Sequence, residues 1–120
     1  MPCKIENANG TIIIHNEVIA RIAGLAAMSC YGIVGMAVKS VKDGLVRLLK
    51  RENLTRGVKV RSNGGMLHVD LHVIAEYGTN ITAICETTVS NVKYIIEDMT
   101  GIKIGSVNIF VEGLRVDKNN

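Results

Sequence analysis

Residues 57–78, GVKVRSNGGMLHVDLHVIAEYG, are the part of this chain with the fewest ways to fold. Apolar and polar residues alternate on both sides of Asn63-Gly64. In an extended strand alternate side chains leave the same face, so each run has one dry side and one wet side. An Asn-Gly pair between two such runs is the signature of a type I′ hairpin turn. That turn pairs Ser62 with Gly65, Arg61 with Met66, Val60 with Leu67, Lys59 with His68 and Val58 with Val69. Val58, Val60, Leu67, Val69, Leu71 and Val73 then share the dry side, and register and pattern agree. Ile74 and Met66 fall on the otherwise polar side, where they suit a self-association or partner patch.

A ribbon with one dry side needs cover, and the rest of the chain supplies it. GTIIIHN (10–16) reads as a short strand ending at a helix whose N-cap is Asn16, with Glu17 at the positive end of the dipole. Val18, Ile19, Ile22, Leu25, Ala26 and Ser29 keep helical spacing. Gly24 and Ala27 form a small face that permits close packing. IVGMAV (33–38) reads as a strand. VKDGLVRLLKREN (41–53) has the spacing of an amphipathic helix, with Val41, Leu45, Leu48 and Leu49 on its apolar side. Thr79 or Asn80 caps a long helix that runs to Thr100 and ends at Gly101. SVNIFVEGLRV (106–116) is the last strand, with Val107, Ile109 and Val111 on one face. The expected fold is α+β in two layers: a small mixed sheet containing a central antiparallel hairpin, with about three helices packed mainly on one face. Residues 1–120 form one domain with an ordered core over about 10–116 and short flexible termini.

Aromatic residues make up only 3% of the chain and tryptophan is absent, so the core is aliphatic. Cys3, Cys30 and Cys85 lie far apart and are odd in number, which suits no disulfide framework and points to a reducing, cytoplasmic compartment. MPCKIENANG lacks the apolar core of a signal peptide. The uncharged run from Ile22 to Val38 is short of the roughly 20 residues of a spanning helix and is broken by Gly24, Gly32 and Gly35. It reads as a buried helix and strand, not as a membrane span.

His68, Asp70 and His72 alternate along the second hairpin strand, and His-x-Asp-x-His on one face is a ligand set for zinc or iron. The expected register opposes this by placing Lys59 across from His68 and beside Asp70, where a cation repels a metal. The wet side of a sheet accounts for the same residues without a ligand. No metal or other cofactor is therefore expected. Cys30 sits at the end of a helix, where the dipole disfavours a thiolate, and Cys85 lies in an apolar stripe. GIVG (32–35) has the outline of a Gly-x-x-Gly nucleic-acid loop but apolar residues at its centre. No Walker loop, dinucleotide fingerprint or nucleophile–base pairing is present.

Charge is concentrated between residues 39 and 61, where Lys39, Lys42, Arg47, Lys50, Arg51, Arg56, Lys59 and Arg61 face only Asp43 and Glu52, a net +6. A solvated helix face explains this first. An anionic partner is the functional reading, with Lys42, Arg47, Lys50, Arg51, Lys59 and Arg61 as the candidate contacts. Nucleic acid is the alternative partner, opposed by the lack of stacking aromatics nearby.

EVIARIAGLAAMSCYGIVGM, LLKRENLTRGVKV, HVDLHVIAEYGTNI and VKYIIEDMTGIKIGSVNIFVEGL, in this order and spacing, resemble the alkaline shock protein family of Gram-positive bacteria, also called the envelope stress response family. The resemblance runs from about Gly10 to Val116 and implies a non-enzymatic cytoplasmic protein that acts as an adaptor or scaffold. It also implies association with the inner side of the membrane through a membrane-anchored protein partner, or a gene beside that of a kinase of the dihydroxyacetone or fatty-acid type, which is then the expected partner. The family has no established catalytic residues to carry over. One departure stands at the end of the first helix, where Ser29 and Cys30 replace a residue that is often acidic.

Overall fold

The computed structural model describes residues 3–39, 46–48, 51–63 and 65–116. The fold opens with a separate two-stranded antiparallel hairpin, β1 (Cys3–Asn7) and β2 (Gly10–Ile14). Asn7 makes its turn, because the Asn7 Oδ1 accepts the backbone N–H groups of Asn9 (2.8 Å) and Gly10 (3.1 Å). The strand at 10–14 was expected and its partner β1 was not.

Helix α1 (Asn16–Met28) follows. Its N-cap is His15 and not Asn16: the His15 carbonyl accepts from Val18 N at 2.9 Å, and no side chain caps the end. Asn16 instead turns inward and donates from Nδ2 to the Val60 carbonyl at 3.4 Å. The buried stripe of α1 is Ile19, Ala20, Ala23, Gly24, Ala26 and Ala27, while Val18 and Leu25 are exposed. The small residues won this face because the layers come close there. A Cβ on Gly24 would stand 3.3 Å from Leu54 Cβ.

Strand β3 (Ile33–Lys39) pairs antiparallel with the short β4 (Val46–Leu48), and a 3-10 segment (Arg51–Gly57) leads to β5 (Val58–Asn63). The helix expected over 41–53 is thus overturned at 46–48, which is a strand, and at 51–53, which is 3-10. Residues 41–45, 49 and 50 lie outside the described set. Hydrogen bonding to β3 supplied an alternative that the helical spacing of the leucines did not reveal.

Strand β6 (Met66–Glu76) is the centre of the sheet. The observed hairpin register pairs Asn63 with Met66, Ser62 with Leu67, Arg61 with His68, Val60 with Val69, Lys59 with Asp70 and Val58 with Leu71. The turn therefore falls one position later than Asn63-Gly64, with Gly65 at φ +81°. Each expected pair moves by two residues. Because side chains alternate with a period of two, such a shift leaves every residue on its expected face. Leu67, Val69, Leu71 and Val73 are fully buried, and Val58 is 7% exposed. Each such burial contributes about 1.5–3 kcal/mol relative to exposure. Ile74 is also buried, at 6% exposure, so only Met66 of the expected patch reaches solvent.

Helix α2 (Ile81–Thr100) carries the chain back across the sheet to β7 (Ile104–Arg115), which lies parallel to β6. Asn80 is its N-cap, with Oδ1 accepting Ala83 N at 3.1 Å, and Gly101 closes it in the left-handed conformation at φ +73°. α1, α2 and the dry sides of β5, β6 and β7 enclose one core. The architecture is the expected α+β mixed sheet. Among the described residues it has two α-helices and the 3-10 segment where three helices were expected.

Candidate functional site

With both helices on one side of the sheet, the other face of β5, β6 and β7 is open. His68, Asp70 and His72 stand on it in a line along β6, all partly buried. The parallel register sets Ser106, Asn108 and Phe110 of β7 directly beside them. His68 Nδ1 and Ser106 Oγ share a hydrogen bond of 2.8 Å. Asn108 Nδ2 donates to Asp70 Oδ1 at 2.9 Å, and Arg61 Nη2 lies 3.3 Å from both Asp70 oxygens. His72 donates from Nδ1 to Glu112 Oε2 at 2.6 Å, and its ring stacks on Phe110 with centroids 4.9 Å apart.

The three candidate metal ligands are thus each held by a different neighbour and do not converge. Among the described residues no group of three His, Cys, Asp or Glu side chains is gathered closely enough to hold a metal ion. The cation beside Asp70 is the guanidinium of Arg61 as well as the facing Lys59 residue, a consequence of the shifted register. The β7 members of this ladder, Ser106, Asn108, Phe110 and Glu112, were not singled out from the sequence. The signal was present as alternation in SVNIFVE, with Ser106 and Asn108 two apart.

Of the candidate partner contacts, Lys59 and Arg61 are exposed at the rim of this face. Arg47 lies in β4 and Arg51 opens the 3-10 segment. Lys42 and Lys50 lie outside the described residues. The structure therefore brings two of the six together on the open face.

Cys30 and Cys85 belong to the packing. Cys30 Sγ reaches the Ala26 carbonyl at 3.4 Å and receives Asn91 Nδ2 at 3.3 Å, which ties the end of α1 to α2. Burial pushes the Cys85 thiol above its ordinary pKa, the opposite of what an activated nucleophile needs. Among the described residues no helix is long and apolar enough to cross a membrane.

Residues 4–116 match the model of the alkaline shock protein 23 family, described as having a cell envelope-related function. The chain is 46% identical over 117 residues to the uncharacterized protein YloU of Bacillus subtilis, covering 97% of this chain and 98% of that one. It is 34% identical over 121 residues to the uncharacterized protein Spy1614 of Streptococcus pyogenes, covering all of both. A stress response regulator gls24 homolog of Streptococcus pyogenes is 28% identical over 88% of this chain, which spans 59% of that protein. A family match over nearly the whole length, joined by a relative of almost equal extent, places this chain in the alkaline shock protein family, the cell envelope-related family that its four sequence blocks resemble.

Proposed function

We propose that the protein is a non-enzymatic, cytoplasmic adaptor or scaffold of cell-envelope homeostasis that acts through protein–protein contacts at or near the membrane. One observation carries this reading: the sheet face opposite α1 and α2, which no helix covers among the described residues, is fixed by its own hydrogen bonds. His68 and His72 each commit Nδ1 to a side chain of β7, and Asp70 commits its carboxylate to Arg61 of β5 and Asn108 of β7. Such a face is pre-organised, so a partner that docks on it loses little to side-chain ordering. Phe110 and Met66, 46% and 45% exposed, supply apolar contact on the same face. The partner classes are a membrane-anchored protein or a kinase of the dihydroxyacetone or fatty-acid type.

A photo-crosslinking residue in place of Lys59 or Phe110, activated in living cells, tests this. Mass spectrometry of the membrane fraction should then recover a membrane-anchored envelope protein or such a kinase. Repeated recovery of the uncrosslinked monomer sinks the reading, and crosslinks to RNA or DNA replace it with the nucleic-acid alternative.

A further inference from the structure

Strand β7 ends the sheet on one side: among the described residues it pairs with β6 alone. The pairing is interrupted twice, where Gly105 and Glu112 are extra residues on β7. Between these bulges runs Ser106–Val111, SVNIFV, a regular stretch without charge or proline. Natural edge strands are shielded by charge, proline or bulges, because unpaired N–H and C=O groups recruit another strand. Here the shielding stops at the ends of the segment.

The core side of this edge is also incompletely covered. Val107 is buried, Ile109 is partly buried and Val111 is 36% exposed. Between helix α2 and the strand lies an open groove of about 600 Å³, lined by Ile81, Cys85, Val89 and Ile109 with Thr82, Glu86 and Ser90. A free edge beside a helix-walled apolar groove is the arrangement that accepts an added strand. Main-chain bonds give such a complex its affinity, and alternate side chains in the groove give it specificity.

We infer that the β7 edge and the α2 groove together bind an extended segment of a partner protein, with alternate β-branched residues facing Ile109 and a basic residue facing Glu86. Glu86 is the one charged residue lining the groove among the described residues, and it is exposed. A second copy paired edge to edge across a two-fold axis brings the acidic rim of one groove against that of the other, which disfavours that occupant. This inference rests on the adaptor reading for the existence of a partner and adds a second contact surface, on the helix side of the sheet, that the open face does not include.

The test uses the full chain and a synthetic peptide of alternating valine and threonine with a lysine at each end. Its control is the same peptide N-methylated at alternate nitrogens, which cannot pair with an edge. The first peptide should slow hydrogen exchange in Ser106–Val111 and protect Cys85 from alkylation at mildly alkaline pH; the control should do neither. Val111→Lys, checked for native circular dichroism, should weaken binding by roughly tenfold or more, the loss of about 1.4 kcal/mol. Replacing Glu86 with alanine should weaken it by about 1.5- to 5-fold, the range of an exposed ion pair. Equal protection by both peptides, or protection confined to other elements, overturns the inference. So does β7 protection that rises with protein concentration in the absence of peptide, which assigns the edge to a second copy. Because the probe is synthetic, a negative result here leaves the crosslinking test of the adaptor reading standing.

Discussion

Gly105 shows how tightly single residues are fitted on the open sheet face. It is the extra residue of a bulge, and a Cβ built on it stands 2.6 Å from His68 Cε1. The imidazole fills the space that a side chain would need. Gly105→Ala must therefore displace the ring and break its 2.8 Å bond to Ser106. A lost hydrogen bond and mild overpacking together cost about 1–3 kcal/mol. Urea unfolding should report that loss, and the His68 ring resonances should move while those of His72 stay. The polar residues of this face were legible in the sequence as alternation along β6. Their partners were not, because a parallel neighbour arrives after a long helix and leaves no short-range signature.

At the scale of elements, the connections carry constraints that periodicity does not express. The link from α1 to β3 passes through Gly32 at φ +87°, where an added Cβ would overlap the Ile84 side chain on α2. Gly32→Ala thus meets backbone strain and a packed neighbour at once, and should destabilise the fold by about 2–4 kcal/mol. Thermal and urea melts check this, and Gly10→Ala, with open space around it, offers a comparison. The long helix with its Asn80 and Gly101 caps could be read directly, since its apolar residues repeat over many turns. The hairpin faces could also be read, although the turn slipped by one position, because Asn63, Gly64 and Gly65 offer more than one two-residue turn. The short elements resisted. The leucine spacing of 41–53 fits a helix, yet 46–48 is bound as a strand to β3, a preference set by a neighbour distant in sequence. The β1 strand escaped because KIEN offers too few residues for alternation to register.

For the molecule as a whole, one strand holds the layers together. β6 bonds β7 along one edge and β5 and then β3 along the other, while both helices pack on its dry side. The β1–β2 hairpin is a separate sheet, and Ile12 and Ile13 in it are 54% and 53% exposed. A lone hairpin is marginal in water. Native-state hydrogen exchange should accordingly find β6 amides opening only with global unfolding and β1–β2 amides exchanging at least ~100-fold faster, a gap of some 3 kcal/mol in opening free energy. The parallel pairing of β6 with β7 also bears on how the chain is born. Synthesis proceeds from the N-terminus, so β6 leaves the ribosome well before its parallel neighbour is translated. Until Arg115 has emerged, one side of the central strand waits bare, and the nascent protein needs shelter from its own kind during that interval.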